Sequence, residues 1–274
     1  MPTVRNGDTN LYYETMGVGP PVVMSYGIGG NGRQWWEDFP AALAEHYRLI
    51  ILDNRGTGFS DKPDTPWTIE DVASDFNAVI DDVGLESFHL LGCSLGSVFA
   101  RHYVRLSGGE RIRSLSLLCA PNGISATEED LRTALFWDRS KPLLESAAAG
   151  WPIVHPDEWV EANRALLTQR FEESMQNPTP AATFQFQLQA VQQAGDIAVA
   201  NQAVAGYDWP VLVMHGKRDR LVPFENGVTL SQAIPRARFE VLEGAGHNFW
   251  QHEPARSAEI VLDFLNEAEG RGTR

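Results

Sequence analysis

Apolar residues along the chain gather into short continuous runs, each closed by a turn or chain-breaking residue, and most runs are separated by stretches with helical spacing. The runs are PVVMSYG at 21–27, YRLIILD at 47–53, SFHLLG at 87–92, IRSLSLLCA at 112–120, PVLVMHG at 210–216 and ARFEVLEG at 237–244. A strand points successive side chains to opposite faces, so a run that is apolar throughout must be covered on both. The pattern predicts an α/β fold: a mostly parallel central sheet with helices on both faces. Ahead of it, TVRNGDTNLYYETMG sets Asn6-Gly7-Asp8 between strand formers, which predicts an N-terminal antiparallel hairpin.

The rhythm lapses once, between about Asn122 and Tyr207, and then resumes. Pro156, Asp157 and Glu158 form a helix start, and Trp159, Ala162, Leu166, Leu167, Phe171 and Met175 follow at helical spacing. The stretch from Phe184 to Gln189 alternates like a strand, yet Phe184, Leu188 and Val191 make a helical stripe and glutamine favours helix, so it is read as helix. Residues 122–205 are therefore expected to form a helical cap inserted into a core made of 1–121 and 206–274.

Charge narrows the partners. The 274 residues carry 22 Lys and Arg against 36 Asp and Glu, a net charge of −14. Nothing in that balance could neutralise a run of phosphates, so neither nucleic acid nor an anionic membrane surface is an expected partner. No apolar stretch has signal-peptide length at the N-terminus, and none reaches the roughly 18 residues of a membrane span. Two cysteines, Cys93 and Cys119, both inside apolar runs, do not make a secreted disulfide framework. A soluble cytoplasmic protein is expected.

At the end of the third parallel run stands Gly92-Cys93-Ser94-Leu95-Gly96, and SVFARHYVRL continues it with helical spacing. Strand, sharp turn and helix form the context in which G-x-S-x-G places a nucleophile. The residues two before and two after the nucleophile must be small so that strand and helix can approach. That register selects Ser94, because Cys93 would have Leu91 and Leu95 in those places.

A serine hydroxyl needs a base, and the base needs an orienting acid. Asp219 lies in the loop after the 210–216 run and His247 in the loop after the 237–244 run, giving the chain order Ser94, Asp219, His247. Other histidines fall elsewhere: His46 before a strand, His89 within one, His102 eight residues into the helix, His155 in the insertion, His215 at a strand end and His252 at the last helix. The end of the 112–120 run, Cys119 to Asn122, offers no carboxylate.

Tyr26-Gly27-Ile28-Gly29-Gly30-Asn31-Gly32 contains G-x-G-x-x-G, with Asp53 about twenty residues on, which on paper is a dinucleotide fingerprint. The loop follows a hairpin instead of opening the sheet, and that reading would leave Ser94, Asp219 and His247 unused. Its glycines are read instead as letting the Ile28 N–H, together with that of Leu95, point at a reacting carbonyl as an oxyanion hole. The loop from Asp53 to Ser60 is expected to be structural, pinned by the Asp53 and Arg55 charges. No metal-binding spacing occurs, so no metal and no cofactor are expected.

Taken together, Gly92 to Gly96, the loop from Asp53 to Ser60, the Asp219 loop and Gly246-His247 resemble the α/β-hydrolase superfamily over nearly the whole chain, in the style of its enol-lactonase and small-ester hydrolase branch. Branches with an Asp nucleophile do not fit Ser94. The chain departs from the usual pattern in having Tyr26-Gly27 where relatives often carry His-Gly, and Gly96-Ser97 where many have two glycines. The resemblance implies a serine esterase or lactonase working through an acyl-enzyme on a small molecule. A carbon–carbon bond hydrolase could use the same triad. A catalytically silent binding protein and a nicotinamide oxidoreductase are the readings from other classes. Trp137, Phe184, Phe249 and Trp250 are expected to line the substrate pocket.

Overall fold

The hairpin forms at the Asn-Gly-Asp turn. In the computed structural model, which describes residues 2–271, β1 (Thr3–Asn6) and β2 (Thr9–Met16) pair antiparallel. Gly7 between them has a φ of +59°, a left-handed conformation that glycine adopts without steric cost. Six strands follow: β3 (Pro21–Ser25), β4 (Arg48–Leu52), β5 (Phe88–Cys93), β6 (Ile112–Leu118), β7 (Val211–Gly216) and β8 (Ala237–Leu242). The sheet order is β1-β2-β4-β3-β5-β6-β7-β8, with β2 antiparallel to β4 and every later pair parallel.

The helices of the core are α1 (Asp38–Ala44), α2 (Ile69–Asp82) and α3 (Leu95–Ser107). Between β6 and β7 come α4 (Glu128–Leu135), α5 (Leu143–Val154), α6 (Asp157–Ala162), α7 (Arg164–Ser174), α8 (Ala181–Gln193) and α9 (Ile197–Ala205); α10 (Glu225–Ala233), α11 (Phe249–His252) and α12 (Pro254–Ala268) complete the chain. The strands are apolar throughout because each feeds two cores. Val23, Ile50, Leu90 and Val213 join Phe76 of α2, Phe99 of α3 and Leu230 of α10 on one face. Met24, Leu49, Leu91 and Met214 join Phe39 of α1 and Phe264 of α12 on the other. Full burial of each such side chain contributes about 1.5–3 kcal/mol.

Two details of the insertion differ from the pattern in the sequence. The helix expected from Pro156 onward is broken at Asn163, whose φ of −121° and ψ of 20° separate α6 from α7. In α8 the buried positions are Thr183, Gln187 and Ala190, while Leu188 is exposed. The helix has turned its polar Gln187 inward, where its Oε1 accepts a hydrogen bond from the Gly29 N–H.

Candidate active site

Ser94 sits between the end of β5 and the start of α3 with a φ of 50° and ψ of −125°. A non-glycine residue pays for such a backbone, and the surrounding contacts hold it there. Its N–H donates to the Leu118 carbonyl at 2.9 Å, and Ser97 Oγ donates to the Ser94 carbonyl at 2.5 Å. The flanking glycines are required by space: a Cβ at Gly92 would lie 2.5 Å from the Gly96 carbonyl oxygen, and one at Gly96 would overlap the Ser25 carbonyl. Cys93 points into the core, fully buried. Ser97, in place of a second glycine, is absorbed by the elbow as a hydrogen-bond donor.

The loop after β3 crosses directly over Ser94. A Cβ at Gly27 would stand 2.9 Å from Ser94 Cβ and 3.3 Å from Ser94 Oγ. Leu95 is the first residue of α3, so its N–H has no intrahelical acceptor and carries the positive end of the helix dipole. Neither the Ile28 nor the Leu95 N–H has an acceptor among the described residues. Tyr26 supports this loop in place of histidine. Its ring packs edge-on against Trp35 at 5.1 Å and Trp250 at 5.7 Å, and its hydroxyl accepts from Gln251 Nε2 at 3.4 Å. From below, Ser25 Oγ donates to Asn54 Oδ1 at 3.0 Å, and Asn54 Nδ2 donates to the Tyr26 carbonyl at 3.0 Å.

The loops that carry Asp219 and His247 meet at a second pair of close glycines, where a Cβ on Gly216 would overlap the Gly246 carbonyl. His247 Nδ1 donates to Asp219 Oδ2 at 2.7 Å, and both side chains are buried. The other oxygen, Oδ1, accepts from the Leu221 and Val222 N–H groups at 2.9 and 2.8 Å. Burial alone would raise the Asp219 carboxyl, but the His247 charge and hydrogen bonds from His215 and His247 outweigh it and hold the group below the usual carboxylate range. His247 Nε2 faces Cys119 Sγ at 3.8 Å, and no hydrogen bond joins it to Ser94 Oγ among the described residues. Burial pushes the Cys119 thiol well up, so this neighbour stays an uncharged thiol.

The Asp53 and Arg55 charges pin the loop as expected, each on its own partners. Arg55 binds Asp75 on α2, Nη2 to Oδ1 at 2.6 Å, while Asp53 accepts the Gly32 and Phe59 N–H groups at 2.8 Å each. The loop is pinned by two separate anchors, and an Asp53 carboxylate saturated by backbone donors is not free to hold a ribose. Phe249, expected in the pocket, has no exposed surface and belongs to the core against α1 and α12. Trp250 packs against His247, with ring centroids 6.4 Å apart. Trp137 is half exposed and lies edge-on to Phe171 within the insertion. Phe184 does reach the site, its ring lying where a Cβ on Gly29 would be.

The sequence reading passed over His215 and Gln187. His215 Nε2 donates to the Val222 carbonyl at 2.9 Å and lies 3.4 Å from Asp219 Oδ2. The signal was available as His-Gly-x-x-Asp at the end of β7. For Gln187 the sequence carries no signal, because a glutamine beside an apolar stripe reads as solvent-facing.

The fold and this loop geometry are those of the α/β hydrolases. A family model described as alpha/beta hydrolase fold matches residues 20–252, and the chain belongs to that family. A relative from Azorhizobium caulinodans bearing the name "Putative carbamate hydrolase RutD" is 31% identical over 276 residues, covering 98% of this chain and 100% of its own. The 2-hydroxymuconate semialdehyde hydrolase of Pseudomonas sp. strain CF600 is 29% identical, covering 95% of this chain and 91% of its own. Among solved structures, an esterase from Exiguobacterium antarcticum superposes with a TM-score of 0.78 at 27% identity, covering 96% of this chain and 98% of that one. These likenesses support a hydrolase acting on small molecules. Among the described residues, no helix is long and apolar enough to cross a membrane.

Proposed function

We propose that the protein is a serine hydrolase that cleaves a carboxylic ester or lactone through an acyl-enzyme, with Ser94 as nucleophile, His247 as base and Asp219 as orienting acid. The observation that carries this reading is the 2.7 Å bond from His247 Nδ1 to Asp219 Oδ2, made in the loops beside the strained Ser94 elbow. With Nδ1–H committed to the carboxylate, Nε2 keeps its lone pair and is the nitrogen able to take the Ser94 proton. Ser94 Oγ then adds to the carbonyl carbon, and the oxyanion receives the Ile28 and Leu95 N–H groups. Collapse expels the alcohol, or opens the lactone, as His247 returns the proton. Water repeats the sequence on the acyl-enzyme and frees Ser94.

The insertion from 122 to 205 acts in this reading as a cap that selects the acyl group, since Ser94, Asp219 and His247 all lie outside it. The chemistry is a property of the loops at the carboxyl ends of the strands. A second reading, a hydrolase that breaks a carbon–carbon bond with the same three residues, draws its support from the likeness to the semialdehyde hydrolase. A panel of esters, lactones and a vinylogous diketone, followed by pH-stat with Ser94→Ala as control, separates the two: the esters release both acid and alcohol, whereas the diketone gives acid and a ketone.

A further inference from the structure

The Gly29 peptide unit is held by the insertion from both sides. Its N–H donates to Gln187 Oε1 at 2.8 Å, and its carbonyl accepts from Thr179 Oγ1 at 2.8 Å. The Phe184 ring covers its Cα, and its φ of +63° is one that a residue with a side chain would resist. Gly29 directly follows Ile28, and Gly27 on the other side touches Ser94. The insertion therefore grips the oxyanion loop one residue from the proposed donor.

Gln187 is 1% exposed, and its Nε2 is buried without a partner among the described residues. Rotating the amide would not cure this, because it would set Nε2 against the Gly29 N–H, donor to donor. The other buried polar residue of α8, Thr183, is satisfied by the Gly56 carbonyl at 3.1 Å. A buried amide donor left unmade is a cost that a folded protein rarely carries without a use. The two heteroatoms of a carboxamide share one carbon, so the free Nε2 lies within a peptide's span of the Gly29 N–H and hence beside the oxyanion loop.

We propose that Gln187 forms an acyl-side subsite, in which Oε1 positions the oxyanion loop and Nε2 donates to an acceptor oxygen on the acyl chain close to the reacting carbonyl. This rests on the serine-hydrolase reading above and deepens it. The substrate class it selects is an ester or lactone whose acyl group carries a carbonyl, hydroxyl or ether oxygen near that carbonyl, in preference to a plain alkanoyl group. A substrate oxygen supplies the acceptor that no described residue gives Nε2.

The test uses p-nitrophenyl methoxyacetate and p-nitrophenyl butanoate, which differ by an ether oxygen in place of one methylene. Their kcat/KM values are each divided by the rate constant for hydroxide hydrolysis. Wild-type protein should favour the methoxyacetate by about tenfold after that correction, the worth of one hydrogen bond, and Gln187→Met should bring the ratio to about one. Thr179→Val, which loosens Gly29 but keeps the Nε2 donor, should slow both esters together and preserve the ratio. A wild-type ratio near one, or a ratio unchanged in Gln187→Met, with turnover still abolished by Ser94→Ala, overturns the subsite alone. Turnover that survives Ser94→Ala, or no turnover of either ester, overturns the hydrolase reading and the subsite with it.

Discussion

Gly92 and Gly96 face each other across the Ser94 turn so closely that a Cβ on the first would lie 2.5 Å from the carbonyl oxygen of the second. Strand β5 and helix α3 can meet only because neither residue has a side chain there. Gly92→Ala should consequently lower the denaturation midpoint, at a cost of about 1–3 kcal/mol for an overpacked core, and should abolish turnover by displacing Ser94. Cys93→Ala should keep most activity, because Cys93 packs away from the elbow. Comparable activity in Gly92→Ala and the wild type would show that the turn does not set the nucleophile.

Asp219 is buried beneath both His215 and His247. Asp219→Asn should fold and yet lose turnover by about 10³–10⁴-fold, because the amide can present its NH₂ to His247 Nδ1 and stabilise the wrong tautomer. Circular dichroism and urea unfolding check the fold, and steady-state kinetics check the loss. Near wild-type turnover in this variant would assign the orienting role to another group.

Selectivity is predicted to reside where the insertion touches the oxyanion loop. Phe184→Ala should raise kcat/KM for bulky acyl esters relative to the acetyl ester, since its ring now occupies the space over Gly29. Trp137→Ala, half exposed and remote on Phe171, should leave those ratios unchanged and stability within about 0.5 kcal/mol. The reverse pattern across an acyl-length series would move the selecting surface to the α4 end of the insertion.

Burial holds His102 and His252 down to about 4. In the unfolded chain these imidazoles protonate at about 6.5, so between there and 4 the unfolded state binds the extra protons. Their contribution is fully present above about pH 6.5 and is lost as pH falls toward 4, with a slope on the order of 1.4 kcal/mol per pH unit for each. Urea midpoints should drop between pH 7 and pH 5, and His102→Gln should flatten the decline. A midpoint that rises on acidification would show that these rings are charged in the fold.

Much of this was readable from residue order. Continuous apolar runs gave the buried parallel sheet because a two-faced core leaves no polar position to interrupt a strand, and Gly92, Gly96 and Gly246 marked the loops that come close. Chain order alone brought Asp219 beside His247. What stayed hidden depends on partners distant in sequence. Gln187 faces inward for the sake of Gly29, and Arg55 turns to Asp75 instead of its neighbour Asp53. Phe249 follows His247 by two residues and still enters the core, where it packs against Trp250 and the residues of α1 and α12.

The most direct measurement is covalent labelling of the intact protein with a fluorophosphonate, followed by peptide mass spectrometry. The account predicts one adduct per chain on Ser94, absent in Ser94→Ala and formed much more slowly in His247→Ala, with Cys93 and Cys119 unmodified. An adduct on another residue, or none on a protein that is folded by circular dichroism, would contradict it.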